Sequence, residues 1–560
     1  MIFVSYLHLK HPGNNDDCNE LVQQTRLVSI TKNALVVFEP TGLRISAPQE
    51  ATVLGTARSG GLHIASECGG KGTCGSCKVI LQPVPNPTRS DRQCLSKEEI
   101  AQGYRLACQH TPVNGMRVIV PQNIAEAKIL TETKPRSRTV VPDPGLQGKI
   151  GFAVDIGTTT IVVYMMDLES GIQVAQAAAL NPQIAYGEDV MSRITYAMNK
   201  EDGSEALKNK VVGRVDRLIS ELCESQSVDY EDVVRYSFVG NTAMHHLFLG
   251  LEVANLGLSP YNPTISSPLK RRAHDVGLTA NTEAEAYFAP NLAGFVGGDT
   301  VGFILSQELH KSDTVSLGID VGTNGEIVVS RRGELFCCSA AAGSAFEGAT
   351  IRDGMRGQKG AIEYISIESP EEPPKLTVIG DITPRGICGS AIVDIVVELK
   401  ENELLDSTGR LTSGNRIEEH DDFGKLYVIA EERELGSNRR IVFTQKDVRQ
   451  VQLAKAAIRA GVQILMQEAE IAVDDLEVLY LAGAFGNYIR PSSALKLGLL
   501  PPVDKSMVIP VGNAAGDGAK RLLLSENERK AAKEFSERVR YVELANHDDF
   551  TETFTGAMSI

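Results

Sequence analysis

Cys68-Gly69-Gly70-Lys71-Gly72-Thr73-Cys74-Gly75-Ser76-Cys77 sets three cysteines at C-x5-C-x2-C spacing in a glycine-rich run. A fourth, Cys108, follows thirty-one positions after Cys77 in Arg105-Leu106-Ala107-Cys108-Gln109, and Cys94 lies in the same interval. Four thiolates can hold a [2Fe–2S] cluster. The glycines suit such a loop, because they accept positive φ and leave backbone N–H groups bare to face sulfur. A C-x2-C pair also nucleates zinc knuckles, but these add a second C-x2-C or a His pair, and neither follows here.

Around this loop the pattern is that of a small mixed domain. Short strands are expected at Leu35–Phe38 and Leu43–Ser46, and a short helix over 51–60 leads into the loop. A strand follows at Lys78–Leu81, then a proline-rich loop over 82–92, and an apolar strand at Met116–Val120. The spacing is one residue longer in its first gap than the plant-type C-x4-C-x2-C…C. From about Leu35 to Gln122 the chain resembles a [2Fe–2S] ferredoxin with the adrenodoxin-like first gap. The resemblance implies an α+β β-grasp domain carrying one electron on Cys68, Cys74, Cys77 and Cys108. Cys108 is preferred to Cys94 because it stands just before the last apolar strand, as the final ligand of ferredoxins does.

The totals bound the rest. The chain has 560 residues, 42% of them hydrophobic, with 24 prolines and 51 glycines, so several domains with large cores and little disorder are expected. Ten cysteines in this length are not a secreted disulfide framework. No apolar run reaches a membrane span and no basic leader precedes an apolar segment, so a cytoplasmic protein with no membrane role is expected. Residues 1–149 carry a charge balance of +5, which leaves −20 on residues 150–560 within the total of −15. The acidic bulk argues against nucleic acid. The basic front suits docking on an acidic partner, or on the acidic part of its own chain.

At Gly151 a second system begins. Phe152-Ala153-Val154-Asp155-Ile156-Gly157-Thr158-Thr159-Thr160 reads as an apolar strand, an Asp and a Gly-Thr turn, with Ile161–Met166 returning. Leu317-Gly318-Ile319-Asp320-Val321-Gly322-Thr323-Asn324-Gly325 repeats the plan, with Ile327–Ser330 returning. One such hairpin is a weak signal, and two in register are a much stronger one. Backbone N–H groups and hydroxyls in tight turns can cradle phosphate oxygens. An Asp at each strand end can hold hydrated Mg²⁺ or orient a water. The pair resembles the phosphate hairpins of the acetate kinase, sugar kinase, Hsp70 and actin superfamily. This implies a two-lobed α/β actin-like (ribonuclease H-like) ATPase domain that clamps ATP and Mg²⁺ between lobes.

Further stretches fit that resemblance. Gly483-Ala484-Phe485, after the strand Leu479–Ala482, resembles the adenosine motif. Thr444-Gln445-Lys446-Asp447 reads as a capping box before an amphipathic helix. Val239-Gly240-Asn241-Thr242 and Val511-Gly512-Asn513-Ala514 read as strand-to-helix connections at the hinge, and their likeness suggests two related lobes. Asp299, after Gly297-Gly298, is a candidate third acidic group. Ala340–Gly348 and Gly386–Ser390 could line the cleft or simply pack. His245 and His246 read as ordinary helix-start histidines. Residues 400–440 read as a charged surface excursion. The expected domains are therefore an extension (1–33), a ferredoxin (34–122), a linker (123–149) and an ATPase (150–560) with lobes at about 150–315 and 316–560.

The whole arrangement resembles the reductive activators of corrinoid proteins. The resemblance implies ATP-dependent transfer of one electron from the cluster to the inactive Co(II) state of a corrinoid protein, restoring Co(I) for methyl transfer. It further implies a low-potential cellular reductant and a homodimer. Some members carry an extra small domain between ferredoxin and ATPase, where this chain has only its linker. Other readings of the same residues are a small-molecule kinase with a redox-sensing cap, a nucleotide-binding redox switch without turnover, and an activator of another low-potential enzyme.

Overall fold

The computed structural model describes residues 33–39, 42–48, 50–60, 62, 64, 66, 70, 72, 75, 77–121, 140–435, 440–483 and 489–560. The expected extension, most of the expected linker, Cys68, Cys74, Ala484 and Phe485 lie outside these residues.

The first unit is a five-stranded mixed sheet in the order β2-β1-β5-β3-β4. Its strands are β1 (Asn33–Glu39), β2 (Leu43–Pro48), β3 (Lys78–Gln82), β4 (Tyr104–Leu106) and β5 (Met116–Ile119). β1 and β5 run parallel and the other pairs antiparallel. Helix α1 (Val53–Ser59) buries Val53, Leu54 and Ala57 among Val36, Phe38, Val79, Leu81 and Val118. This is the β-grasp arrangement of the α+β class. The stretch expected to be loop over 82–92 ends instead in helix α2 (Arg89–Cys94), followed by α3 (Lys97–Ala101). Thr88 caps the Asp91 N–H while Asp91 bonds back to Thr88. That reciprocal cap outweighs the prolines that precede it.

The remaining chain builds two lobes on one strand plan. The first sheet runs β10-β11-β9-β6-β7-β8 and the second β22-β21-β12-β13-β14-β23. In the first, β6 (Ile150–Ile156), β7 (Thr160–Asp167) and β8 (Gln173–Leu180) form an antiparallel meander. β9 (Val233–Gly240) pairs parallel to β6, and β11 (Glu285–Phe288) parallel to β9; β10 (Leu269–Arg272) closes the edge. In the second, β12 (Val315–Val321), β13 (Gly325–Arg331) and β14 (Glu334–Ala340) repeat the meander. β21 (Val478–Ala482) and β22 (Val508–Gly512) repeat the parallel additions, and β23 (Arg540–Tyr541) lies beyond β14. Both lobes thus have the ribonuclease H-like order.

Helices α4 (Val190–Asn199), α5 (Gly203–Gln226) and α6 (Thr242–Leu249) belong to the first lobe. Between the sheets, helix α7 (Gly298–Ser306) crosses helix α8 (Ala514–Leu524). A Cβ on Gly518 would lie 2.1 Å from the Gly302 Cα, so the two backbones touch. The core at this crossing mixes Tyr164 and Val162 of one sheet with Val328 and Cys337 of the other.

Residues 400–440 are not a surface excursion. They contain β18 (Ile417–His420) and β19 (Gly424–Ala430), which pair with each other, and β19 pairs with β20 (Ile441–Thr444). Tyr427 and Ile429 of β19 are buried in the core of the second lobe. Charged residues on β18 and an alternation too short to read hid this sheet in the sequence. The later part of the expected linker is tied down: Asp143 accepts from Arg235 Nη1 at 2.8 Å and donates its N–H to the Leu524 carbonyl. No described helix is long and apolar enough to cross a membrane.

Candidate functional site

The two Gly-Thr hairpins face one cleft. Strand β6 ends and turns at Gly157, whose N–H bonds the Thr160 carbonyl at 2.9 Å; in the second hairpin, one residue shorter, the Gly322 N–H bonds the Asn324 carbonyl at 2.9 Å. A Cβ at Gly157 would stand 2.5 Å from the Thr160 carbonyl oxygen, so this turn closes only on glycine. The cleft is lined by Asp155, Gly157, Thr158, Thr159 and Thr160 from the first lobe, and by Asp320, Gly322, Thr323 and Asn324 from the second. Gly483 also lines it, with φ +92°, and a Cβ there would come within 2.4 Å of Asp320 Oδ1. Gly325 does not line it. Its Cα faces helix α9 (Gln445–Glu468), where a Cβ would meet Ile458 at 2.8 Å.

Asp299 joins the same wall from the start of α7, and Glu326 joins it from β13. The four carboxylates are largely buried in the cleft wall, and the protein around them strips water from the charged form. Desolvation pushes Asp155 up to about 7, and Asp299 adds to it while the Asn513 amide opposes it. Desolvation likewise pushes Asp320 up to about 7, with Asp299 and Asp155 repelling it further. Asp299 and Glu326 are also driven upward, chiefly by desolvation. A hard divalent cation such as Mg²⁺ would relieve the mutual repulsion of these recessed carboxylates.

Several residues of the cleft escaped the reading of the sequence as site residues. Glu347 accepts from Thr159 Oγ1 at 3.1 Å and from Thr323 Oγ1, so one buried carboxylate ties the two hairpins together. It fell in the stretch 340–348 flagged only for its small residues. The two Gly-Asn connections do cap helices: Asn241 caps α6 and Asn513 caps α8. However, they follow non-equivalent strands, β9 of the first lobe and β22 of the second, so their likeness is not an echo of the lobe repeat. Each amide turns to the first hairpin, Asn241 Nδ2 to Thr158 Oγ1 at 2.9 Å and Asn513 Nδ2 to Asp155 Oδ2 at 2.8 Å. Arg356 and Glu326 carried no motif. His245 bonds Asn291 and His246 bonds the Thr242 carbonyl, both inside the first lobe.

In the first unit, Cys77 and Cys108 are both buried, at 1% and 5% exposure, and the Ala107 N–H bonds the Cys77 carbonyl. Gly70, Gly72 and Gly75 hold φ of +97°, +76° and +79° around them. A Cβ at Gly70 would touch the Cys108 Cβ at 3.9 Å, and the Gln109 amide donates to Cys108 Sγ at 3.4 Å. Cys94 lies against the same loop, beside Gly75, with its thiol donating to the Gly72 carbonyl at 3.6 Å. Buried thiols, left-handed glycines and an N–H···S contact are the surroundings that an iron–sulfur cluster requires.

Comparison with known proteins places these units. Residues 36–113 match the family described as "2Fe-2S iron-sulfur cluster binding domain", 150–312 match "RACo middle region", and 314–560 match "C-terminal domain of RACo the ASKHA domain". The middle region therefore falls on the first lobe itself. The chain is 35% identical over 490 residues to the corrinoid activation enzyme RamQ of Eubacterium limosum, covering 85% of this chain and 78% of that one. It is 23% identical over 440 residues to the [Co(II) methylated amine-specific corrinoid protein] reductase of Methanosarcina barkeri, covering 73% and 76%. Among solved structures, a reductive activator for corrinoid, iron-sulfur protein superposes with a TM-score of 0.68 at 30% identity, covering 94% of this chain and 98% of that one.

Proposed function

This chain belongs to the family of reductive activators of corrinoid proteins, and we propose that it uses ATP to pass one electron to a Co(II) corrinoid protein, restoring Co(I). The observation that carries the reading is a cleft with two threonine hairpins and four recessed carboxylates, on the same chain as the glycine-lined site of Cys77 and Cys108. Cys68, Cys74, Cys77 and Cys108 would hold the [2Fe–2S] cluster, which supplies one-electron transfer when bound.

The chain's own residues supply the rest. Thr158, Thr159 and Thr323 present hydroxyls, and Gly157 and Gly322 present close backbone, to the phosphates of ATP. Asp155, Asp320 and Asp299, with Glu326 beside them, would hold Mg²⁺, which would offset the charge of the phosphates, and a carboxylate among them would orient the attacking water. Gly483, Ala484 and Phe485 meet the nucleoside. Glu347 binds a hydroxyl of each lobe, so it holds the lobes closed over the phosphates. ATP can drive an uphill electron only by binding one state of the complex better than another, because a ligand shifts an equilibrium by its differential affinity. The same reading carries a low-potential cellular reductant, a homodimer and a cytoplasmic location.

The test is an anaerobic spectrum of a Co(II) corrinoid protein mixed with this protein, a low-potential reductant and Mg-ATP. A Co(I) band that grows only with ATP is the expected result. ATP consumed with no Co(I) band overturns the reading.

A further inference from the structure

Charge in the nucleotide cleft is one-sided. Among the described residues that line it, Asp155, Asp299, Asp320, Glu326, Glu347 and Glu363 are acidic, and Arg356 is the one cation. A nucleoside triphosphate brings more negative charge to that wall. Mg²⁺ beside the aspartates would offset part of it, and the end of the phosphate chain calls for a cation of the protein's own.

Arg356 stands at the hairpin end of the cleft. It follows β14 in the second lobe, and its Nη2 reaches Glu188 Oε2 of the first lobe at 3.4 Å. Glu188 lies in the turn between β8 and α4, and its other oxygen accepts from the Ser66 N–H at 3.3 Å. Buried Arg193 holds the same turn at the Gly187 carbonyl at 2.8 Å and donates from Nη2 to the Thr158 carbonyl of the first hairpin. Arg356 also acts on Glu347, the carboxylate that bonds Thr159 of one hairpin and Thr323 of the other. Burial pushes Glu347 up, and the Thr323 hydroxyl and the Arg356 guanidinium oppose that. The arginine is anchored but not used up. A guanidinium carries five N–H donors in a rigid fork, and among the described residues Arg356 makes its one hydrogen bond to Glu188. Its side chain is 27% exposed. Gly357 beside it also lines the cleft, and a Cβ there would meet nothing described nearer than Ile379 at 3.9 Å, so the backbone next to the fork leaves room for a ligand.

We propose that Arg356 is the residue that tells a nucleoside triphosphate from a diphosphate: it keeps Glu188 on one N–H and gives its remaining N–H groups to the terminal phosphate. The nucleoside end of the cleft is marked by Gly483, packed on Asp320 and Val321 at the base of the second hairpin. Glu347 and Arg356 approach from the threonines of the hairpin turns, so the phosphate farthest from the nucleoside is the one the fork meets. Charge-assisted bonds from a guanidinium to phosphate are among the stronger hydrogen bonds a protein makes. The proposal rests on the reading of the cleft as an ATP site and deepens it. ATP and ADP then differ at a contact shared by both lobes, because the fork belongs to the second lobe and its Glu188 anchor to the first. A ligand shifts an equilibrium only through differential affinity, and this contact supplies a difference between the nucleotide before hydrolysis and after it.

The experiment is calorimetric titration of the anaerobic, cluster-loaded full chain with Mg-AMPPNP and, separately, with Mg-ADP. Arg356→Met keeps the length of the stem and removes the fork. Its affinity for Mg-AMPPNP should fall at least about tenfold, the scale of a lost hydrogen bond to a charged group, while its affinity for Mg-ADP changes less than about twofold. Arg356→Lys keeps the charge without the fork and should fall between the wild type and Arg356→Met for Mg-AMPPNP alone; it carries the test if Arg356→Met folds poorly. A purely structural role for Arg356 would weaken both nucleotides alike, so an unchanged ratio of the two affinities in both variants overturns the proposal and leaves the ATP site standing. A wild-type chain that binds neither nucleotide overturns the ATP site and the proposal with it.

Discussion

Asn513 donates its side-chain amide to Asp155 at 2.8 Å, linking residues 358 positions apart. Its other amide contact is Tyr164 Oη at 3.2 Å, and its side-chain oxygen caps α8 at the Gly516 N–H. One residue thus fixes the helix that crosses between the lobes and steadies the carboxylate at the first hairpin.

Asn513→Leu removes both roles. A hydrogen bond to a charged group contributes about 1.5–3 kcal/mol. Mg-nucleotide affinity, measured by calorimetry, should fall about tenfold to a hundredfold. An unchanged affinity would show that Asp155 takes no part in holding the nucleotide.

The raised carboxylates predict a pH dependence. Asp155 and Asp320 titrate near 7 when folded and near 4 when unfolded, so between these values the folded state binds more protons. Stability of the metal-free protein should therefore fall as pH rises from about 4 to 7. A divalent cation displaces those protons. Mg²⁺ binding at pH 6 should release protons, detected by calorimetry in buffers of different ionisation enthalpy, and release should vanish above about pH 8. Binding with no proton release at pH 6 would place the ion away from these carboxylates.

Gly518→Ala should destabilise the ATPase by about 1–3 kcal/mol, the range for forcing added volume into a packed contact. The added Cβ lands 2.1 Å from Gly302 Cα, and both partners are backbone that cannot rotate away. Chemical denaturation followed by circular dichroism measures the loss. A change below about 0.5 kcal/mol would mean that the helices part without cost.

Cys94 and Cys108 are distinguished by substitution. Cys94→Ser should keep the visible cluster spectrum and two irons per chain, since its thiol faces the Gly72 carbonyl. Cys108→Ser should lose or strongly alter both. The reverse pattern would exchange their assignments. Cys74→Ser should abolish electron transfer while leaving ATP turnover largely intact, and loss of both together would count against separable modules.

Much of the architecture was legible because it is written in local patterns. The hairpins at Asp155 and Asp320 announced themselves through apolar strands broken by Gly-Thr turns. The cap of the long helix at Thr444 and Asp447 was legible in four residues and is present in the structure. The cap at Thr88 and Asp91 has the same form but was masked by three prolines before it. β19 was missed because its neighbour β18 carries charges at Glu418 and Glu419, which hide a strand that buries Tyr427 and Val428.

By itself, then, the sequence determined the two kinds of unit, the cysteine spacing and the strand plan, since each depends on contacts between near neighbours in the chain. Only the tertiary structure decided how the cleft is wired. Glu347 meets Thr159 across 188 residues, Asn241 meets Thr158 across 83, and Glu188 meets Ser66 across 122 and Arg356 across 168. A lone polar residue has no period and no spacing that names a partner so distant. Its role appears only when folding brings both ends into one desolvated place, where an unmatched charge is unfavourable and a matched one holds the site together.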